Sequence, residues 1–168
     1  MKKAKEGDIK NGVHVIVLDE GKVDIDIRQE TSDTLLLTKK ELIEALDEWL
    51  MEYSDPHNEI EEALDLALKD GFLICAYMSG ELVGVTIVIP FGFKNFATKY
   101  HLAYIATGKN IKGRGIATNM IQKAVNLSLG NLSLHVETDN KRAIKVYEKM
   151  GFKKPYYRMM HVGTEGDE

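Results

Sequence analysis

The sequence predicts an α/β domain of the α+β kind: a mixed, mostly antiparallel central sheet flanked by helices, with an extra β-hairpin at the N-terminus. Three observations carry this expectation. Residues 13–29 alternate apolar and polar side chains with period two. Two stripes of helical period occupy residues 38–71. From residue 72 the runs read strand, strand, strand, helix, strand, helix, strand, so one strand-helix-strand unit sits inside a hairpin-linked sheet.

Each element has a local reason. Val13, Val15 and Val17 alternate, Glu20-Gly21 turns the chain, and Val23, Ile25 and Ile27 alternate again. The run TLLL, residues 34–37, reads as a short strand or an extended lead-in. Thr38 and Glu41 have the spacing of a capping box before the stripe Leu42, Leu46, Trp49, which predicts a helix over 39–52. Asp55-Pro56 predicts a second helix start, with Asp55 as N-cap and Pro56 in the first turn. Its stripe is Ile60, Ala63, Leu64, Ala67, and Gly71 ends it.

FLICAYM and LVGVTIVIP read as two strands turned by Ser79-Gly80, and YHLAYIAT as a third. A helix runs from the glycines near residue 113 to about Leu129, and Gly130-Asn131 turns the chain. LSLHVET is a strand, NKRAIKVYEKM a helix stopped by Gly151, and YYRMMHV a last strand, with the tail 163–168 expected to fray.

With 168 residues, 44% hydrophobic and 29% charged, a single domain over 1–168 is expected. The one cysteine, Cys75, lies in an apolar run and reads as a buried, inert thiol. Without a disulfide framework or an apolar leader segment, the expected location is the cytoplasm. No window approaches the ~18 apolar residues of a membrane span. The net charge of −4 is unevenly spread: residues 41–70 carry eleven Asp/Glu and one Lys, residues 71–168 thirteen Lys/Arg and seven Asp/Glu. One region therefore favours cations and another anions.

The segment NIKGRGIATNM, residues 110–120, opens a helix with glycine and positive charge. A helix N-terminus leaves amides unpaired and carries partial positive charge, so it accepts phosphates. Lys109, Lys112 and Arg114 add full charges. A nucleotide P-loop does not fit, because Arg114-Gly115 stands where Lys and a hydroxyl residue belong. A dinucleotide fingerprint fails because Thr118 replaces its last glycine. Ordinary solvated charges on a turn are the plainer alternative.

A second segment, NKRAIKVYEKMGF, puts Asn140, Ile144 and Tyr147 on one helical face. Together the two segments resemble the GNAT superfamily of acetyl-coenzyme A-dependent N-acetyltransferases. Its pyrophosphate loop, Gln/Arg-x-x-Gly-x-Gly/Ala, is matched by Asn110 to Gly115, with Asn110 departing from the usual Gln or Arg. Its later pattern is matched by Asn140, Ala143, Tyr147, Gly151 and Phe152. The resemblance covers residues 35–162, which leaves the hairpin 13–29 outside the usual core.

The resemblance implies that the backbone of Ile105, Ala106 and Thr107 pairs with the pantetheine arm of acetyl-CoA like an added strand. It implies that Gly113, Arg114, Gly115, Ile116 and Ala117 hold the pyrophosphate, with Lys112 and Arg114 at the phosphates and the Thr118 hydroxyl adding a bond. It implies that Asn140 hydrogen-bonds that arm or a nearby backbone group, and that Ala143 and Tyr147 also border the cofactor. Tyr147 is the candidate general acid for the leaving thiolate, since a phenol is protonated at neutral pH. The candidates for the base are His135 and Glu137, on one face of LSLHVET, and His101, on the strand before the loop. A water relay is the alternative to all three.

Ten carboxylates of the two acidic helices, from Glu41 to Asp65, would attract a cationic acceptor or else form a solvated face. The expected partners are acetyl-CoA and a primary amine, with no metal, nucleic acid or membrane, and the hairpin edge could pair two copies. A non-catalytic acyl-CoA sensor is the alternative function. A nucleic-acid binder is disfavoured by the negative net charge and the lack of a reading helix or stacking aromatics.

Overall fold

The computed structural model describes residues 9–10, 13–15, 25–92, 98–111 and 113–161. Its strands are β1 (Ile9–Lys10), β2 (Val13–Val15), β3 (Ile25–Glu30), β4 (Phe72–Met78), β5 (Glu81–Pro90), β6 (Tyr100–Thr107) and β7 (Leu132–Leu134). Its helices are α1 (Lys39–Leu50), α2 (His57–Asp70), α3 (Ile116–Leu127) and α4 (Lys141–Lys149). The seven strands form one sheet in sequence order. Every pair is antiparallel except β6 and β7, which run parallel because α3 carries the chain back between them.

Alternation along the central strands divides the core between the two faces of the sheet. Leu73, Cys75, Val85 and Ile87 face Leu42, Leu46, Ile60 and Leu64 of α1 and α2. Ile74, Ala76 and Val88 face Met120, Ile121 and Ala124 of α3, together with Ile25 and Ile27 of β3. Most of these side chains are fully buried, and each large one contributes about 1.5–3 kcal/mol of transfer free energy.

The capping box of α1 is present: the Glu41 amide donates to Thr38 Oγ1 at 3.2 Å, and the Thr38 amide donates to Glu41 Oε2 at 2.7 Å. Both carboxylate oxygens of the buried Glu30 accept hydrogen bonds, from Arg28 and Tyr77 at 2.7 Å and from Thr34 at 2.6 Å. This network ties the chain before α1 to the sheet.

Several boundaries differ from expectation. α1 ends at Leu50 and a 3₁₀ turn, Met51–Tyr53, follows, with Met51 at φ 56°. Pro56 precedes α2 rather than opening it, and Asp55 provides no cap. Residues 34–37 form no strand. The strand expected over 132–138 stops at Leu134. Residues 156–161 form no strand, and Tyr156, Tyr157, Met159 and Met160 are exposed. An alternating pattern becomes a strand only where a neighbouring edge takes its hydrogen bonds, and β7 is three residues long. The hairpin turn expected at Glu20-Gly21 and the expected tail lie outside the described residues.

Candidate active site

The site begins where two strands part. β6 pairs with β7 only through Tyr100, His101 and Leu102, opposite Leu132, Ser133 and Leu134. From Ala103 to Thr107, β6 keeps β5 on one side and has no strand partner on the other among the described residues. A groove of ≈ 1450 Å³ opens along that free edge. Ile105, Ala106 and Thr107 line it, and so do Gly113, Gly115, Ile116, Ala117 and Thr118. Asn140, Ala143 and Tyr147 of the α4 segment line it as well, with His101, His135 and Glu137 at the same groove.

Gly113 and Gly115 take left-handed conformations, φ 87° and 74°. Gly115 caps α3, and no side chain accepts from the first amides of that helix. A Cβ at Gly115 would meet only Asn119 Nδ2, at 3.5 Å, so glycine is required there by conformation rather than by space. Asn119 Nδ2 donates to the Gly115 carbonyl at 2.7 Å and holds the turn against the helix. The uncapped amides of Ile116 to Thr118 are thus left for an anion.

Of the two side chains expected at the phosphates, only Arg114 is described. Lys112 lies outside the described residues. Arg114 does not line the groove, and its Nη1 is 3.4 Å from Met78 Sδ. Asn140 is the N-cap of α4 and accepts from the Ala143 amide at 3.1 Å. Its carboxamide oxygen is thereby engaged with backbone.

Tyr147 is half-buried beneath Phe152, whose ring meets it edge-on at 5.8 Å. Burial raises its phenol pKa, which keeps it a proton donor at neutral pH. His101 is buried, and its Nδ1 lies 2.9 Å from Ser133 Oγ. Its ring stacks on Phe91 at 4.8 Å and meets the His135 ring at 4.6 Å. Burial and the neighbouring His135 push its pKa down to about 4. His135 and Glu137 are exposed and lie beyond the end of β7.

The opposite wall comes from the α1–α2 connection. Of the ten carboxylates of the acidic helices, only Glu52 and Asp55 line the groove, where Glu137 and Asp139 join them. Burial and the charges of Asp139, Glu52 and Glu137 raise the Tyr53 phenol above its usual pKa. The other eight carboxylates, all on α1 and α2, lie off the groove, which is lined instead by the connection between the two helices.

Tyr104 donates to Asp55 Oδ2 at 2.7 Å. Sequence reasoning missed this pair, along with Trp49 and Ser133, as parts of the site. Register offers the one signal for Ser133, since it is the cross-strand partner of His101.

Comparison with known proteins agrees with this architecture. Residues 41–152 match the family described as Acetyltransferase (GNAT) family. The chain is 27% identical over 105 residues to N-alpha-acetyltransferase MAK3 of Arabidopsis thaliana, across 60% of this chain and 55% of that protein. It therefore spans about half the length of that relative. Among solved structures, aminoglycoside N-acetyltransferase AAC(6')-Iy in complex with CoA superposes with a TM-score of 0.66 at 15% identity, over 88% of this chain and 99% of that one. Ard1 from Thermoplasma volcanium superposes with a TM-score of 0.58 at 20% identity, over 77% and 82% of the two chains. These structures share the fold. The family match covers the parted strands, the glycine loop and the tyrosine helix together, and the chain belongs to the acetyltransferase (GNAT) family.

Proposed function

We propose that the protein transfers an acetyl group from acetyl-CoA to the primary amine of a cationic small molecule or peptide, by direct attack in a ternary complex. The observation that carries this reading is the free edge of β6 at residues 103–107, facing the same groove as the uncapped N-terminus of α3. An extended amide-bearing arm adds to a free strand edge, and a diphosphate sits on unpaired amides. Coenzyme A carries both groups on one molecule.

The substrate ammonium first loses a proton to a base at the groove, for which His135, Glu137 and His101 are the groups at hand. The neutral nitrogen then attacks the thioester carbon, forming the C–N bond. The C–S bond breaks as the Tyr147 phenol protonates the leaving thiolate. The adduct's second N–H proton passes to the tyrosinate and restores the acid. Positioning of both substrates in one groove supplies a large part of the acceleration.

Glu52, Asp55, Glu137 and Asp139 favour a cationic acceptor at the far end of the groove. The α1–α2 face is acidic, whereas Arg142 and Lys149 stand on the α4 side. That polarity suits an anionic donor on one side and a cation on the other.

Calorimetry with acetyl-CoA tests the first half of the reading, with saturable binding in the micromolar range expected. No saturation at millimolar ligand would overturn it. A panel of polyamines, amino sugars and basic peptides, read by free thiol release, tests the second half. Rates with cations should fall as ionic strength rises, and salt-independent rates would remove the electrostatic steering.

A further inference from the structure

We propose that Ser133 is a positioning residue that holds His101 in the Nδ1–H tautomer, so that His101 Nε2 stays a hydrogen-bond acceptor for the substrate amine while the amine's proton leaves through the exposed His135. The proposal rests on the acyl-transfer reading of the groove and assigns the two histidines different work.

The geometry begins with the sheet. His101 and Ser133 are cross-strand partners at the last stretch where β6 and β7 still pair. Ser133 Oγ lies 2.9 Å from His101 Nδ1 and donates to the Tyr100 carbonyl at 3.4 Å. A hydroxyl has one hydrogen and a carbonyl can only accept. Both contacts are therefore made together only when Oγ accepts from Nδ1–H. The neutral ring then has its lone pair on Nε2.

The residue that carries this nitrogen lines the groove. His101 makes no second hydrogen bond among the described residues, and Asp26 Oδ1 is the one buried side-chain polar atom there without a partner. The ring belongs to a residue that lines the groove, although the residue as a whole is buried. Phe91, stacked on the ring, and the Ser133 contact fix its orientation.

The division of labour follows from the surroundings. The groups against His101 are Phe91 from the end of β5, Ser133 of β7 and the His135 ring just past it. Among the described residues, His135 is the titratable group whose charge lowers the His101 pKa, after burial. Two imidazolium rings 4.6 Å apart would repel, so a positive charge on one disfavours a positive charge on the other. Burial favours the neutral form of His101, and the solvated His135 can pass a proton to water. A neutral Nε2 can take an N–H from the incoming amine and aim its lone pair without removing its proton.

Two-bond ¹H–¹⁵N spectra of the full chain test this directly, since they report which nitrogen of each ring carries hydrogen. His101 should show the neutral Nδ1–H form at every pH from about 5 to 9. Ser133→Ala should shift it toward the Nε2–H form, and Ser133→Thr should restore it. For amine acetylation, Ser133→Ala should lower kcat/KM for the amine about tenfold through KM, with acetyl-CoA affinity unchanged. His135→Gln should instead lower kcat, with the His101 tautomer and acetyl-CoA affinity unchanged. A His101 that titrates near neutrality, or an Nε2–H form in the unmodified protein, overturns the proposal, as does a Ser133→Ala protein with unchanged tautomer. Absence of acetyl-CoA binding in a protein whose His101 shows the expected tautomer would refute the transferase reading, and with it the role assigned to Nε2.

Discussion

The Tyr104 hydroxyl donates to Asp55 Oδ2 at 2.7 Å and joins the middle of β6 to the turn between α1 and α2. The two residues are far apart in sequence, and both line the groove. Burial and Asp55 together raise the Tyr104 phenol pKa, so it remains a donor across the accessible pH range. One carboxylate oxygen of Asp55 is held by this hydrogen bond.

Tyr104→Phe should therefore raise KM for the amine several-fold and leave acetyl-CoA affinity unchanged. Loss of a hydrogen bond to a charged group at a partly exposed position should cost about 1 kcal/mol of stability. Asp55→Asn should raise KM for dications more than for monocations. Steady-state kinetics on matched amines checks both.

Tyr147→Phe keeps the packing against Phe152 and removes the proton. kcat should fall by about 10²-fold, within the range of general acid catalysis, while calorimetry with acetyl-CoA should be nearly unchanged. The pKa of this phenol is raised, so the donor form persists to higher pH than an ordinary tyrosine. Any fall of kcat due to Tyr147 deprotonation should thus lie above about pH 10, and an unchanged kcat in the Phe variant removes the acid role.

Gly115→Ala puts a Cβ on a residue at φ 74°. The left-handed conformation costs a non-glycine residue about 1–2 kcal/mol. The turn should relax and displace the amides of Ile116 and Ala117. A fall of about tenfold in acetyl-CoA affinity is expected, with a modest drop in thermal midpoint. Equal affinity in the variant would show that those amides do not hold the diphosphate.

Glu30 links stability to pH. Burial pushes its carboxyl pKa up, but hydrogen bonds from Thr34, Tyr77 and Arg28 outweigh burial and hold it below the usual value. A folded-state pKa below the unfolded one adds stability at neutral pH. That stability is lost as pH falls from about 4.5, the ordinary glutamate range, through the lower folded value. Denaturant titrations from pH 7 to 3 should show the loss, and Glu30→Gln should flatten it while costing about 2 kcal/mol at pH 7.

Much of the fold was legible because its local signals agree with its packing. Thr38 and Glu41 marked the start of α1, and Gly71 the end of α2. The alternation in β4 and β5 marked two buried faces. The misread elements are those whose hydrogen bonds depend on a distant neighbour. Residues 135–138 and 156–161 have strand patterns, but β7 provides only a three-residue ladder. In the groove, the glycine loop and Tyr147 were legible as spaced motifs. Tyr104 and Ser133 were not, since nothing local to a tyrosine or serine on a strand reveals its partner across the sheet.

By itself the sequence determined the periodicities and the capping box of α1, which depend on neighbours within a few residues. It also determined the chemistry available, down to the glycines that tolerate positive φ. Only the tertiary structure decided which of the ten helix carboxylates meet the groove, where β6 leaves β7, and that His101 lies against Ser133 and His135. Those outcomes follow from strand register and helix packing, in which residues remote along the chain compete for the same space and the same hydrogen bonds.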